Sequence, residues 1–172
     1  MILAVDVQYD DKKAFIAGVL FDKWSSEKPT DVFTSTVQGV EEYEPGNFYK
    51  RELPCILKLL NEHKLTPTCI LVDGYVFLDG KQKPGLGKRL FDTLDQKIDV
   101  IGIAKKGFSD ISSDYEIYRG KSEKPLYITT TGDLEIAKNQ VLSMHGEYRI
   151  PALLKLADSV CREEANKSKH SV

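Results

Sequence analysis

Three short runs set the strongest limits on what this chain of 172 residues can become. Cys69–Val72, Val100–Ala104 and Leu126–Thr130 carry no charged residue and are rich in β-branched side chains. A strand with one wet face alternates polar and apolar residues, whereas a strand covered on both faces does not. The runs are far shorter than the ~18 residues of a membrane span. They predict inner strands of a sheet with helices packed on both faces, the α/β class.

The rest of the chain fits around such a sheet. Ile2–Val7 and Ala14–Phe21 flank the polar turn Asp10-Asp11-Lys12, which reads as an antiparallel hairpin. Val32–Val37 predicts a third strand, and Tyr43–Pro54, broken by Pro45, Gly46 and Pro54, an irregular stretch. A helix is expected from near Leu53, with Leu53, Ile56, Leu57 and Leu60 on one face. Gly74–Gly87 reads as a glycine-rich loop. Two later helices are expected, Asp133–Met144 and Pro151 to about Ala165, the latter opened by a proline suited to a first helical turn. The expectation is one domain over 1–165, a mixed sheet with antiparallel first strands and parallel ones after, and a frayed tail over 166–172.

Composition excludes several classes and leaves one question open. Lys plus Arg is 24, Asp plus Glu is 26, and the net charge is −2, so this is no histone-like polycation. Cys55, Cys69 and Cys161 are scattered in apolar runs, with no paired spacing for zinc or a disulfide framework. Free thiols point to a reducing, cytoplasmic setting. No stretch reads as a signal peptide or a membrane span. Charge is uneven: residues 1–80 balance to −5 and residues 81–124 to +3.

The acids carry the chemistry. Asp6 lies inside an apolar strand, and Asp73 ends the run Cys-Ile-Leu-Val-Asp. An unpaired buried carboxylate costs several kcal/mol, so something must compensate. Glu52 stands near the start of the Leu53 helix, where its plainest role is to favour the helix dipole. Asp158 sits at the border of an apolar stripe with Leu154 and Cys161, while Lys155 and Arg162 share another. Converging carboxylates are usually neutralised by divalent cations. Two Mg²⁺ ions held in this way make a phosphodiesterase centre.

Five segments, in order, resemble the endonuclease V family, inosine-directed nucleases with a ribonuclease H-like fold. They are Val5-Asp6-Val7-Gln8-Tyr9; Tyr43-Glu44-Pro45-Gly46 with Tyr49-Lys50-Arg51-Glu52-Leu53-Pro54; Leu71-Val72-Asp73-Gly74; Ile101–Lys106; and Tyr148-Arg149-Ile150-Pro151 leading to Asp158. The resemblance implies that Asp6, Glu52, Asp73 and Asp158 hold Mg²⁺ or Mn²⁺. It implies that Lys105 holds a phosphate, that Gly74 borders the substrate, and that Tyr43, Pro45 and Gly46 belong to a wedge beside the lesion. Wedges of this kind unstack a base step, and the freed base is read in a pocket. The implied reaction hydrolyses a phosphodiester near inosine in DNA or RNA, leaving a 3′-hydroxyl and a 5′-phosphate, with the protein acting as a monomer away from membranes. Glu42 and Glu44 depart from the family's apolar wedge, and acids there weaken binding to a polyanion. Two alternatives stay open: a nucleic-acid-binding homologue with weak catalysis, and a ribonuclease H-like nuclease for other structured nucleic acids.

Overall fold

The computed structural model describes residues 1–170 except 41, 43, 46 and 47. Strands β1 (Ile2–Asp10), β2 (Lys13–Phe21) and β3 (Asp31–Gln38) form an antiparallel meander. Helix α1 (Phe48–Glu62) leads to β4 (Cys69–Asp73), α2 (Leu86–Thr93) and β5 (Asp99–Ala104). A short 3₁₀ turn precedes β6 (Glu116–Ile117), then β7 (Leu126–Thr130), α3 (Leu134–Ser143) and α4 (Ala152–His170). The seven strands run β3-β2-β1-β4-β5-β7-β6 across one sheet. β1, β4 and β5 are parallel to one another, and β7 and β6 close the far edge antiparallel. The α/β class and the mixed sheet stand as expected. β7, expected as a strand, runs antiparallel to β5 instead of parallel, and β6, the 3₁₀ turn and α2 are additions.

Side-chain alternation along β1 divides the core. Ile2 and Ala4 face one side, where they join Leu71, Ile101 and Ile128 under α3 and α4. Leu3 and Val5 face the other, with Ile70, Val72 and Val100 under α1 and α2. The inner strands are thus covered on both faces, which explains their uninterrupted apolar runs.

Two helices differ from the sequence reading. α1 starts at Phe48 instead of Leu53 and carries Pro54 inside it. Its buried stripe is Glu52, Cys55, Ile56, Leu59 and Leu60, one residue out of phase with the expected face. Pro54 lies on the exposed side, so only the bond to the Lys50 carbonyl is lost, and burial of the stripe outweighs it. α4 runs to His170, so residues 166–170 are helical, not frayed. Ala165 is buried there, and Lys167, Lys169 and His170 complement the negative end of the helix dipole. Among the described residues, no helix is long and apolar enough to cross a membrane.

Two glycines shape the crossing above β5. Gly74, with φ of 129°, turns the chain sharply after Asp73. A Cβ on Gly102 would stand 2.5 Å from the Gly74 carbonyl oxygen and 2.8 Å from the Val76 nitrogen. The turn after Asp73 therefore rests directly on the bare backbone of β5.

Candidate metal centre

β1 and β4 pair in parallel up to Ala4 opposite Leu71. Two residues further along each strand stands an aspartate, Asp6 on one and Asp73 on the other. Parallel register thus delivers both carboxylates to the same edge of the sheet, where ligands bind in open α/β folds. α4 crosses that edge and adds Asp158. Together with Lys105, Arg149 and Lys155 these acids line one cavity of about 300 Å³. Lys105 Nζ lies 3.9 Å from Asp73 Oδ2, and both side chains are about half exposed.

The structure brings four of the five expected catalytic residues into that cavity: Asp6, Asp73, Lys105 and Asp158. Glu52 stands behind it. It is buried in the second turn of α1, too far along to serve the helix dipole, and accepts a hydrogen bond from the Tyr9 hydroxyl at 2.8 Å. The Arg51 guanidinium stacks 3.4 Å above the Tyr9 ring centroid. Gly74 is not among the residues lining the cavity and forms the turn directly after Asp73. Pro45 is exposed and is not among the residues lining the cavity. Tyr43 and Gly46 lie outside the described residues.

Charge repulsion is written into this arrangement. Loss of water pushes Asp6 up to about 7, and the neighbouring Asp73 and Asp158 push the same way, against the Val7 N–H that favours the anion. Burial raises Glu52 to about 8, opposed by the Tyr9 hydrogen bond and reinforced by the charges of Asp6 and Asp73. Asp73 is raised by the loss of water around it, with Lys105 opposing and Asp158 reinforcing. Asp6, Asp158 and Cys161 each offer a ligand atom within 4.8 Å of the others. The carboxylate oxygens of Asp6 and Asp158, with Asp73 lining the same cavity, are hard donors that suit Mg²⁺ or Mn²⁺, whereas the Cys161 sulfur is a soft donor and no natural ligand for either, so the fit rests on the three carboxylates.

Several participants lie beyond the sequence reading. Cys161 Sγ points at Asp6 Oδ2 at 3.6 Å. Arg162 Nε donates to Asp158 Oδ1 at 3.0 Å, although the stripe pattern groups Arg162 with Lys155 and apart from Asp158. Its i+4 relation to Asp158 is the signal that points to the pair. Arg149 donates to the carbonyls of Lys105 and Pro125, pinning the strand end that carries Lys105. Arg119 is buried, and its guanidinium donates to the carbonyls of Met144, Gly146, Tyr148 and Arg149.

These shifts set a pH dependence for protein stripped of divalent ions. Asp6 and Glu52 keep their protons to about 7 and about 8 when folded, whereas carboxyls of an unfolded chain lose theirs near 4. A raised folded pKa stabilises fully below the unfolded value, and that contribution is lost as pH rises through the folded value. In chelator, the melting temperature is expected to fall by roughly 10 °C between pH 6 and pH 9, about 3 kcal/mol for a domain of this size. Excess Mg²⁺ should restore most of it at pH 9. A melting temperature that stays level or rises across that range in chelator would contradict the clustering.

Residues 1–122 match the model of the family described as Endonuclease V. Asp6, Glu52, Asp73 and Lys105 fall inside that span and Asp158 outside it. Endonuclease V of Streptomyces avermitilis is 27% identical over 184 residues, covering 94% of this chain and 79% of that protein. Its crystal structure superposes with a TM-score of 0.80 at 26% identity, covering 98% of this chain and 82% of that one. Endonuclease V of Ciona intestinalis, solved with a 24mer DNA containing an inosine followed by a ribo-adenosine, has a TM-score of 0.80 at 20% identity, covering 96% of this chain and 86% of that one.

Proposed function

The chain belongs to the endonuclease V family, a family of nucleases, and on that premise we propose that it hydrolyses a phosphodiester bond near inosine in DNA or RNA. The products are a 3′-hydroxyl and a 5′-phosphate. One observation carries the reading: Asp6, Asp73 and Asp158 share a cavity with Lys105. A relative of the same fold, the Ciona intestinalis protein solved with inosine-containing DNA, supports it.

Asp6, Asp73 and Asp158 would hold Mg²⁺ or Mn²⁺, with Glu52 contributing from behind. When bound, the cations supply a nucleophilic hydroxide at neutral pH and charge neutralisation at the leaving oxygen. Lys105 reaches a non-bridging oxygen of the scissile phosphate, a role suited to a point charge on a flexible stem. Its approach is steadied by Arg149, which holds the Lys105 carbonyl. Tyr9 and Arg51 fix Glu52 by a hydrogen bond and a stacked guanidinium. Gly74 lets the chain turn away directly after Asp73, leaving room for the strand. The protein would work as a monomer in the cytoplasm.

The test is cleavage of matched inosine and adenosine oligonucleotides, as DNA and as RNA, with Mg²⁺ and with chelator. Cutting confined to the inosine strands in Mg²⁺ is expected. Equal cutting of both strands would replace inosine specificity with a broader nuclease, and no cutting of any strand would remove the assignment. A second reading, a nucleic-acid-binding homologue with weak turnover, is favoured by Glu42 and Glu44, both exposed in the stretch that resembles the wedge. It predicts at most a single turnover per molecule, which excess substrate would reveal.

A further inference from the structure

Lys155, Asp158, Arg162, Asn166 and Lys169 follow one another along α4 at spacings of three and four, so they form one stripe. The first two line the acidic cavity. The last three line a second cleft of about 170 Å³, together with Gln8, Tyr9 and Ala165. Two cations and two amides converge there, and none of the lining residues is an acid. Arg162 spends its Nε on Asp158 and is 64% exposed, so its outer nitrogens remain available. Lys169 forms no ion pair among the described residues. The hydroxyl of Tyr9 is already committed to Glu52.

A cleft of donors therefore abuts a cavity of carboxylates on one helix face. Such a cleft takes an anion with several acceptor oxygens, and guanidinium and ammonium groups are the usual partners of phosphate. A lone phosphate would account for Arg162 and Lys169 but not for the continuation of the row to Lys155. At 1.5 Å per residue, Lys155 to Lys169 covers ~21 Å of helix, room for several linked phosphates. The single acid in the row, Asp158, falls where the cut is made.

We propose that this stripe of α4 is the track of the nucleic-acid backbone, and that Gln8, Arg162, Asn166 and Lys169 hold a phosphodiester further along the strand from the scissile one. The inference rests on the nucleic-acid reading above and adds the path of the strand.

Binding of inosine-free, fluorescein-labelled oligonucleotides in chelator tests the track apart from catalysis. Fluorescence anisotropy is read across a salt series for wild type, Lys169→Glu, Asn166→Ala and Lys167→Ala. Abolishing one cation–phosphate pair lowers the slope of log affinity against log salt by about one unit. Lys169→Glu should weaken binding about tenfold and flatten that slope by about one. Asn166→Ala should weaken binding severalfold at unchanged slope. Lys167, which faces Glu164 instead of the cleft, should leave both unchanged on replacement by Ala. Trimming the oligonucleotide from one end should erase the difference between Lys169→Glu and wild type. Wild-type affinity and slope in Lys169→Glu would overturn the track, as would equal losses in Lys167→Ala and Lys169→Glu. Failure of inosine cleavage with these binding effects intact would instead fault the assigned reaction and leave the track standing.

Discussion

Replacing Asp73 by Asn should lower metal-dependent cleavage at least ~10³-fold, about 4 kcal/mol in the barrier, while the metal-free fold becomes slightly more stable. The two effects have one cause. Asp73 ends β4 with its side chain half exposed, so the amide fits with little change in packing. It removes one of the negative charges that raise Asp6, and that repulsion is relieved without any cation. The same charge is what a divalent ion needs. Hydroxide generation and neutralisation of the leaving oxygen both depend on the ion being held in place. Melting temperatures with chelator and with Mg²⁺ check the pair of claims. The metal-free value should stay level or rise by a degree or two, and the increase on adding Mg²⁺ should shrink. Near-normal cleavage by Asp73→Asn would remove Asp73 from the ligand set.

Arg119→Met should cost about 4 kcal/mol and lower the melting temperature by roughly 10 °C. Arg119 is 5% exposed, and its guanidinium gathers carbonyls of Met144, Gly146, Tyr148 and Arg149. Methionine fills much of the same volume but leaves those oxygens without their donors, and a carbonyl deprived of its partner in a buried place costs about 1–3 kcal/mol. The segment involved joins α3 to α4 and presents Arg149, which holds the Lys105 carbonyl. Loosening it should also raise the KM for a cleavable oligonucleotide more than it lowers kcat, because Lys105 still reaches the phosphate once substrate is bound. Amide exchange across residues 144–150 should quicken in the same variant. A melting temperature within about 2 °C of wild type would refute the account.

Much of this can be read from the residues alone, for identifiable reasons. Strands covered on both faces must be apolar throughout, so Cys69–Val72 and Leu126–Thr130 announce themselves, and an aspartate in or beside such a strand stands out. The parallel register that joins Asp6 to Asp73 then follows from fold class. Other features depend on which side of an element meets the core. The phase of α1 is decided by Glu52 turning inward to meet Tyr9, a contact between residues 43 positions apart, whereas the apolar pattern favours Leu53. α2 starts beside glycines and without a side-chain cap, so its local signals are those of a loop, and Leu86 and Leu90 become legible as core only once β4 and β5 lie beneath them. Arg119 looks like any surface arginine until four carbonyls surround it. Cys161 reads as buried from its apolar surroundings, but its proximity to Asp6 comes from the crossing of α4 over β1, which no local pattern reports.

That crossing also governs when the acidic cavity can be completed. The sulfur of Cys161 and the carboxylate of Asp6 are 155 positions apart in the chain, and Asp158 comes from the same late helix. On the ribosome, the hairpin that carries Asp6 emerges long before the helix that completes the centre. Every intermediate length therefore carries an acidic half-site without its partner. The acidic cavity is therefore a late product of folding, complete only once the first strand and the last helix have met.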